Sequence, residues 1–311
     1  MAITVVDKGK KTMNQRAQIR LLPDGRRLHL HDGPIDLIVE AFGPAPQVNV
    51  AYRAACERFV TVLDELCSEI VLLRQSCSEE SPWPKGAVAR RMMAAAKPYA
   101  PEYFLTPMAT VAGAVAEEIL AAMLSAAELS RAYVNNGGDI ALHLSTGEQF
   151  VVGMVERPDR PSLMGTTTLH ASDPVRGIAT SGWRGRSFSL GIADAVTVLA
   201  DRAAAADAAA TIIANAVDLP AHPAIVRVAA RELQPDSDLG ERLVTQAVGD
   251  LDADEVDQAL TSGVHTADRL FRIGLIRSAA LSLQGETRIV GSSREHRMIT
   301  TPPAERILAH A

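Results

Sequence analysis

Aromatic residues are scarce in this chain: they make up 4% of its 311 residues. Hydrophobic content is nonetheless 47%, so alanine, leucine and valine must build most of the core. Small side chains let backbones approach closely, and tightly crossing helices and strands are expected. Cysteine is also sparse, at Cys56, Cys67 and Cys77. The spacings match no zinc or thioredoxin pattern, and all three fall in one predicted helical stretch and its end, which excludes a disulfide framework. They read as reduced thiols of a cytoplasmic protein, with no electropositive setting that would make them reactive. Positive charge is not in excess: the net charge is −6. That excludes a nucleic-acid partner held on a broad basic face. It leaves room for a small phosphorylated ligand, because one or two local arginines suffice for a phosphate. The opening "MAITVVDKGKKTMNQR" is too short and too charged for a signal peptide. No run of about 18 apolar residues is evident, so no membrane segment is expected.

The pattern along the chain predicts a leader over residues 1–15, a folded domain over 16–291 whose C-terminal part is 222–291, and a tail over 292–311. Asp24-Gly25 between two alternating runs marks a hairpin, and a strand follows at Ile35 to Ala41. Ala55, Phe59, Val62, Leu63, Leu66, Ile70 and Leu73 recur at helical spacing within a helix expected from Asn49 to Arg74. Further helices are expected over Ala87 to Lys97 and over the small-residue stretch Met108 to Ser130. Strands flank the turn Asn135–Gly138, and others are expected at "QFVVGMVER" and "DAVTVLA". A helix follows over Ala203 to Val217. The last third carries helical patterns near Leu239 to Val248, Ala253 to Leu260 and Ala267 to Ile276, then a strand-like Leu281 to Gly291. Strands and helices intersperse without regular β-α-β alternation. The expected class is therefore α+β, with antiparallel strands packed against long alanine-rich helices.

Three stretches could carry chemistry. In Asn135-Asn136-Gly137-Gly138-Asp139 the glycines let the backbone approach a ligand and turn N–H groups outward; the same residues also suit a hairpin whose Asp caps its own turn. In Ala179-Thr180-Ser181-Gly182-Trp183-Arg184-Gly185-Arg186-Ser187, hydroxyls and arginines suit phosphate oxygens, and Trp183 offers a flat face to an aromatic ring. An exposed loop with solvated arginines fits equally. In the helix, Asp207 and Thr211 share a face one turn apart, with Cβ atoms about 6 Å from each other. Mg²⁺ takes one or two carboxylates plus substrate phosphate, which this pair and a backbone carbonyl would match. Alternatively, Asp207 serves the N-terminus of its own helix and Thr211 bonds back to a carbonyl. His29 and His31 share a strand face but lack an evident third ligand, and with His143 they read as strand residues.

Taken together and in order, "TPMATVAGAVAEEI", "NNGGDI", "GIATSGWRGRSFSLGIADAVTVLA" and "PDSDLGERLVTQAVG" resemble the UPF0280 branch of the ApbE-like superfamily, which is related to the FAD:protein FMN transferases. The resemblance covers roughly residues 16–291 and implies a single ApbE-like α+β domain. In that superfamily the helical Asp and Thr bind Mg²⁺ with a carbonyl from the small-residue helix. The resemblance thus implies Asp207 and Thr211 as metal ligands, Asp207 as the catalytic residue, and a carbonyl from Ala114 to Ala116. It implies a ligand site, for FAD, FMN or another nucleotide, bordered by Asn136, Gly137, Gly138, Asp139, Thr180, Ser181, Gly182, Trp183 and Arg184. The activity implied is transfer of FMN to an acceptor protein, or cleavage at a pyrophosphate. Two family segments are missing. Ala116-Glu117 stands where a Lys-Gly pair is expected, and "SFSLGIADA", Ser187 to Ala195, replaces a His-x-x-Asp-Pro-x-x-Gly segment. A non-catalytic accessory protein, acting through a partner in sulfur, one-carbon or cofactor metabolism, is therefore the alternative. A homodimer is compatible with either.

Overall fold

A computed structural model describes residues 16–155 and 163–291; the expected leader and tail lie outside them. The chain begins with β1 (Gln18–Leu21), β2 (Leu28–Asp32) and β3 (Ile35–Phe42), then α1 (Ala45–Ser68), the single turn α2 (Ile70–Leu73) and α3 (Ala87–Ala96). A 3₁₀ turn (Pro107–Thr110) leads into α4 (Val111–Ala126), followed by β4 (Arg131–Asn136), β5 (Asp139–Leu144), β6 (Gln149–Val155), β7 (Leu163–His170), β8 (Gly177–Ser181) and β9 (Ala195–Ala200). Next come α5 (Ala203–Ala216), β10 (Ile225–Ala229), the short α6 (Ala230–Leu233) and β11 (Leu243–Val248). The last elements are α7 (Ala253–Arg272), β12 (Ser278–Leu283) and β13 (Glu286–Gly291).

Nine strands form one sheet in the order β1-β2-β3-β4-β5-β8-β9-β12-β13, and every pairing in it is antiparallel. The alternation in β2 and β3 sends Leu28, Leu30, Leu37 and Val39 to one face, where they are buried. Along that face α1 covers β2 and β3, α4 covers β4 and β5, α5 covers β8 and β9, and α7 covers β12 and β13. On the other face a small apolar cluster of Leu142, Leu144, Leu169, Val175, Ile178 and Leu199 forms, with Leu169 contributed by the β6–β7 hairpin. The class is the α+β expected from the pattern.

Alanine sets the spacing of the helical layer. Ala203, Ala204, Ala206, Ala208, Ala209, Ala210 and Ala214 in α5 are all fully buried. A Cβ on Gly113 would lie 2.5 Å from the Ala203 carbonyl carbon and oxygen, so α4 and α5 cross backbone to backbone.

Several element expectations need correction. Residues 243–248 are the strand β11, not a helix; its partner β10 supplies the hydrogen bonds that make it extended. The two helices expected over 253–260 and 267–276 are the one helix α7, opened by a reciprocal cap between Asp252 and Glu255. Leu281 to Gly291 belongs to the β12–β13 hairpin. The helix expected over 49–74 starts at Ala45 and breaks at Glu69, whose carboxylate accepts the Lys85 and Gly86 amides instead. Pro107–Ala126 is long and apolar enough by length and composition to cross a bilayer, with mean hydropathy 1.5 over its most apolar stretch. In the fold this segment packs against α1, α3 and α5.

Candidate functional site

The β4–β5 connection is a two-residue turn. Asn136 and Asp139 are register partners, and Gly137 and Gly138 have φ of 65° and 113°, the positive values that such a hairpin turn requires. Asn135 Oδ1 accepts the Gly138 amide at 2.8 Å. The buried Asn136 donates through Nδ2 to the Ala112 carbonyl at 3.1 Å, tying the turn to the start of α4. Asp139 Oδ1 accepts the Thr180 amide at 3.2 Å, tying it to β8.

Asp207 enters the same place from α5. It is 8% exposed, and its Oδ2 accepts the Gly113 amide at 3.0 Å. The carboxylate therefore faces the N-terminus of α4, where backbone N–H groups lack intrahelical acceptors. The relation between the helices is reciprocal: Glu117 Oε1 on α4 accepts the Ala204 amide at the start of α5, at 2.8 Å. Glu117 also meets Arg91 at 3.3 Å.

The arrangement brings two carboxylates into one poorly hydrated space. Burial pushes the Asp139 carboxyl up to about 7, with Arg186 opposing the rise. Burial likewise raises Asp207, the charge on Asp139 raises it further, and the Gly113 and Ala112 amides pull the other way. A charge on Asp139 disfavours a charge on Asp207, a conflict that a shared proton or a cation relieves. The Arg186 guanidinium lies directly on the turn, since a Cβ on Gly137 would come within 1.8 Å of Arg186 Nη2.

The residues singled out in the sequence divide between two places. Asn136, Gly137, Gly138, Asp139, the backbone of Thr180, and Asp207 converge at the carboxylate pair. The Thr180 hydroxyl meets the Thr197 hydroxyl at 2.9 Å. Trp183 and Arg184 turn to another acid: Trp183 Nε1 and Arg184 Nε donate to Asp194 Oδ1 at 3.2 and 2.6 Å, and the Gln284 amide donates to Oδ2 at 2.7 Å. Arg184 also stacks on the Trp183 ring, 4.3 Å from its centroid. Gly182 permits this return, because a Cβ there would meet the Asp194 carbonyl at 2.5 Å. Ser181 is half-buried in β8, paired with Val196. Thr211 is half-buried one turn along from Asp207, and its hydroxyl forms no hydrogen bond among the described residues.

One expectation about Asp207 changes. α4 turns the Gly113 amide to it, because a helix presents N–H groups at its N-terminus. The helix it caps is α4, not its own. Glu117 was not foreseen as a contributor, and Arg186 was not distinguished from Arg184 in the stretch whose arginines suit phosphate. Arg184 and Arg186 flank Gly185 in "WRGR", and nothing in that run says which faces the turn.

Two open cavities lie elsewhere. One, of about 370 Å³, is lined by residues that include Leu124, Leu129, His143 and Ser145; the other, of about 530 Å³, includes Leu144, Glu148, His170 and Arg176. Both include residues from the far end of β5, opposite Asp139, and neither includes a member of the carboxylate cluster. His143 Nε2 lies 3.1 Å from the Leu129 carbonyl, as a strand residue would. His29 is held between Arg20 at 2.9 Å and Asp36 at 2.5 Å. Among the described residues no group of three or more His, Cys, Asp or Glu is placed to hold a metal. The cysteines are free, and burial pushes the Cys56 thiol up to about 11.

A nine-stranded antiparallel sheet, helices on one face and a carboxylate pair where α4, α5 and the β4–β5 turn meet make this an α+β protein with its candidate site at one corner of the helical layer. Residues 19–289 match the family model described as "AbpE bacteria", and the chain belongs to that family. It is similar to a UPF0280 protein of Methanopyrus kandleri, 42% identical over 128 residues, which is 41% of this chain and 48% of the relative. It is also similar to a UPF0280 protein of Methanococcoides burtonii, 35% identical over 152 residues, covering 49% and 59% respectively. The chain thus spans about half the length of these curated relatives. Among solved structures, the apo form of the flavinyl transferase ApbE of Pseudomonas stutzeri aligns over 91% of this chain and 97% of that one, at 10% identity and a TM-score of 0.43.

Proposed function

We propose that this protein binds a phosphorylated ligand, a flavin or other nucleotide, together with Mg²⁺ at Asp139 and Asp207, and acts on the ligand's pyrophosphate as a transferase or a cleaving enzyme. The observation that carries this reading is the meeting of two carboxylates, Asp207 buried and Asp139 half-buried, at a glycine turn and a helix N-terminus. The donor set suits Mg²⁺ better than a transition metal. It offers two carboxylates with no third carboxylate, histidine or cysteine among the described residues, and Mg²⁺ commonly completes its shell with phosphate oxygens and water. Each carboxylate has one oxygen fixed by a backbone amide, so both are oriented before any cation arrives. Thr211, one turn along α5, is the further side-chain ligand that the family resemblance implies. When bound, Mg²⁺ would neutralise charge developing on a pyrophosphate leaving group.

The chain's own residues would do the rest. Gly137 and Gly138 let the ligand approach the backbone of the turn. The N-terminus of α4 adds favourable potential for an anion. The family resemblance in "NNGGDI" and "GIATSG" makes FAD the first ligand to test, with transfer to an acceptor protein as the matching activity. Calorimetry with FAD, with and without Mg²⁺, tests the reading. The wild type is expected to bind FAD only with Mg²⁺. Asp207→Asn keeps an acceptor for the Gly113 amide and is expected to stay folded while losing the Mg²⁺ dependence. Binding that ignores Mg²⁺, or is unchanged in Asp207→Asn, would overturn it.

A second reading is a non-catalytic accessory protein that works through a partner. It is favoured by Glu117, which stands where the family carries Lys-Gly and is spent on the α5 amide and Arg91. A protein that ignores FAD and Mg²⁺ in the same titrations supports it.

A further inference from the structure

Arg186 is the arginine that the site leaves unspent. Its neighbour Arg184 is committed to Asp194 at 2.6 Å. Among the described residues the Arg186 guanidinium forms no hydrogen bond or ion pair. It is exposed, yet it does not extend into solvent: it rests on the bare backbone of Gly137, beside the Asp139 carboxylate, whose charge it favours. A guanidinium has five donors in a rigid fork suited to phosphate, and all are open here.

We propose that Arg186 is the anion-receiving residue of this site and, when no ligand is bound, an internal cation that competes with a metal for the Asp139–Asp207 pair. The proposal rests on the functional reading above and names the residue that recognises the ligand's phosphate. Two consequences follow from its position. A phosphate arriving at the turn meets the fork and lifts it off Gly137, which exposes the carboxylates. A divalent cation arriving first is repelled by the guanidinium and must displace it. Arg186 therefore helps anion binding and hinders binding of a cation alone, two effects of opposite sign from one side chain. Gly137 is needed for the second effect, since any Cβ would occupy the place of Nη2.

The test is a pair of separate titrations by calorimetry, one with Mg²⁺ alone and one with inorganic pyrophosphate in EDTA. Arg186→Gln is expected to weaken pyrophosphate binding about tenfold to a hundredfold, the range for a charge-assisted contact. The same variant is expected to bind Mg²⁺ alone about threefold tighter or more, because a like charge has gone. Arg186→Lys, which keeps the charge but not the fork, is expected to stay near wild type for Mg²⁺ and to recover part of the pyrophosphate affinity. Because Arg186 is exposed and unpaired, neither variant removes a contact that holds the fold. If the wild type binds both probes and Arg186→Gln changes neither, or weakens both together, this inference falls alone. If the wild type binds neither probe, the functional reading falls and takes this one with it.

Discussion

Replacing Asp139 by Asn should stabilise the metal-free protein at alkaline pH while removing its response to Mg²⁺. The argument starts from the carboxyl, which burial lifts from 3.8 to about 7. In the folded protein it keeps its proton to about pH 7, whereas in the unfolded chain it loses it near pH 4. Between those values the folded state binds more protons, so the associated stability is complete below pH 4 and falls as pH rises through 7. The full rise is equivalent to a ceiling of about 4 kcal/mol. Partial exposure of Asp139 screens part of that, leaving about 1–3 kcal/mol. Asn carries no charge and keeps an oxygen for the Thr180 amide, so it escapes this cost. Urea midpoints in EDTA at pH 5 and pH 8 measure the difference between the two proteins. The expected result is a small advantage for Asp139→Asn at pH 5, a clearly larger one at pH 8, and stabilisation by Mg²⁺ in the wild type alone. An Asp139→Asn protein that is less stable at pH 8, and gains as much from Mg²⁺ as the wild type, would refute the reasoning.

Other substitutions probe the frame around the pair. Gly113→Ala places a Cβ 2.5 Å from the Ala203 carbonyl; overpacking of about 1–3 kcal/mol should outweigh a helix-propensity gain of about 1 kcal/mol, and an unchanged or higher urea midpoint would contradict the close crossing. Glu117→Ala leaves the Ala204 amide without its acceptor, while Arg91 keeps Glu118 at 3.0 Å, and should cost about 1–2 kcal/mol, whereas a neutral result would deny the reciprocal cap. Asp194→Ala strands the Arg184 guanidinium and the Trp183 indole N–H, at a cost of about 3 kcal/mol. In a Trp83→Phe background it should shift Trp183 fluorescence, and an unshifted spectrum would show that the loop is held by something else.

The sheet strands and the α4 and α5 helices were legible because short-range patterns dictate them: alternation in β2 and β3, and two glycines that can only turn. What failed to show was set by distant partners. Leu243 to Val248 has residues that fit either state, and only β10, over a dozen residues earlier in sequence, makes it a strand. The carboxylate pair was half visible. Asp139 and Asp207 were each singled out, but Asp207 was matched to Thr211, its neighbour on the helix face, because spacing along a helix is all a sequence offers. The partner that its charge feels comes from a hairpin 68 residues away, by the difference of the two positions. Arg184 and Arg186 pose the same difficulty, since the choice between them is made by Asp194.

Asp207 caps α4, and a capping role alone does not account for what occupies this corner. An N-terminal amide is served nearly as well by Ser or Thr, which carry no charge to desolvate. An Asp in that position is helped by the helix dipole only to the extent that nothing nearby opposes its charge. Asp139 opposes it, and Asp139 is itself raised by burial. A neutral residue at position 139 would relieve Asp207. A buried acid made still harder to ionise by a second one forms an arrangement with an unmet demand for positive charge. Arg186, resting on Gly137 without a bond of its own, meets that demand only from outside. The cap therefore explains how Asp207 is oriented, and the unmet demand explains why the oriented group is a carboxylate.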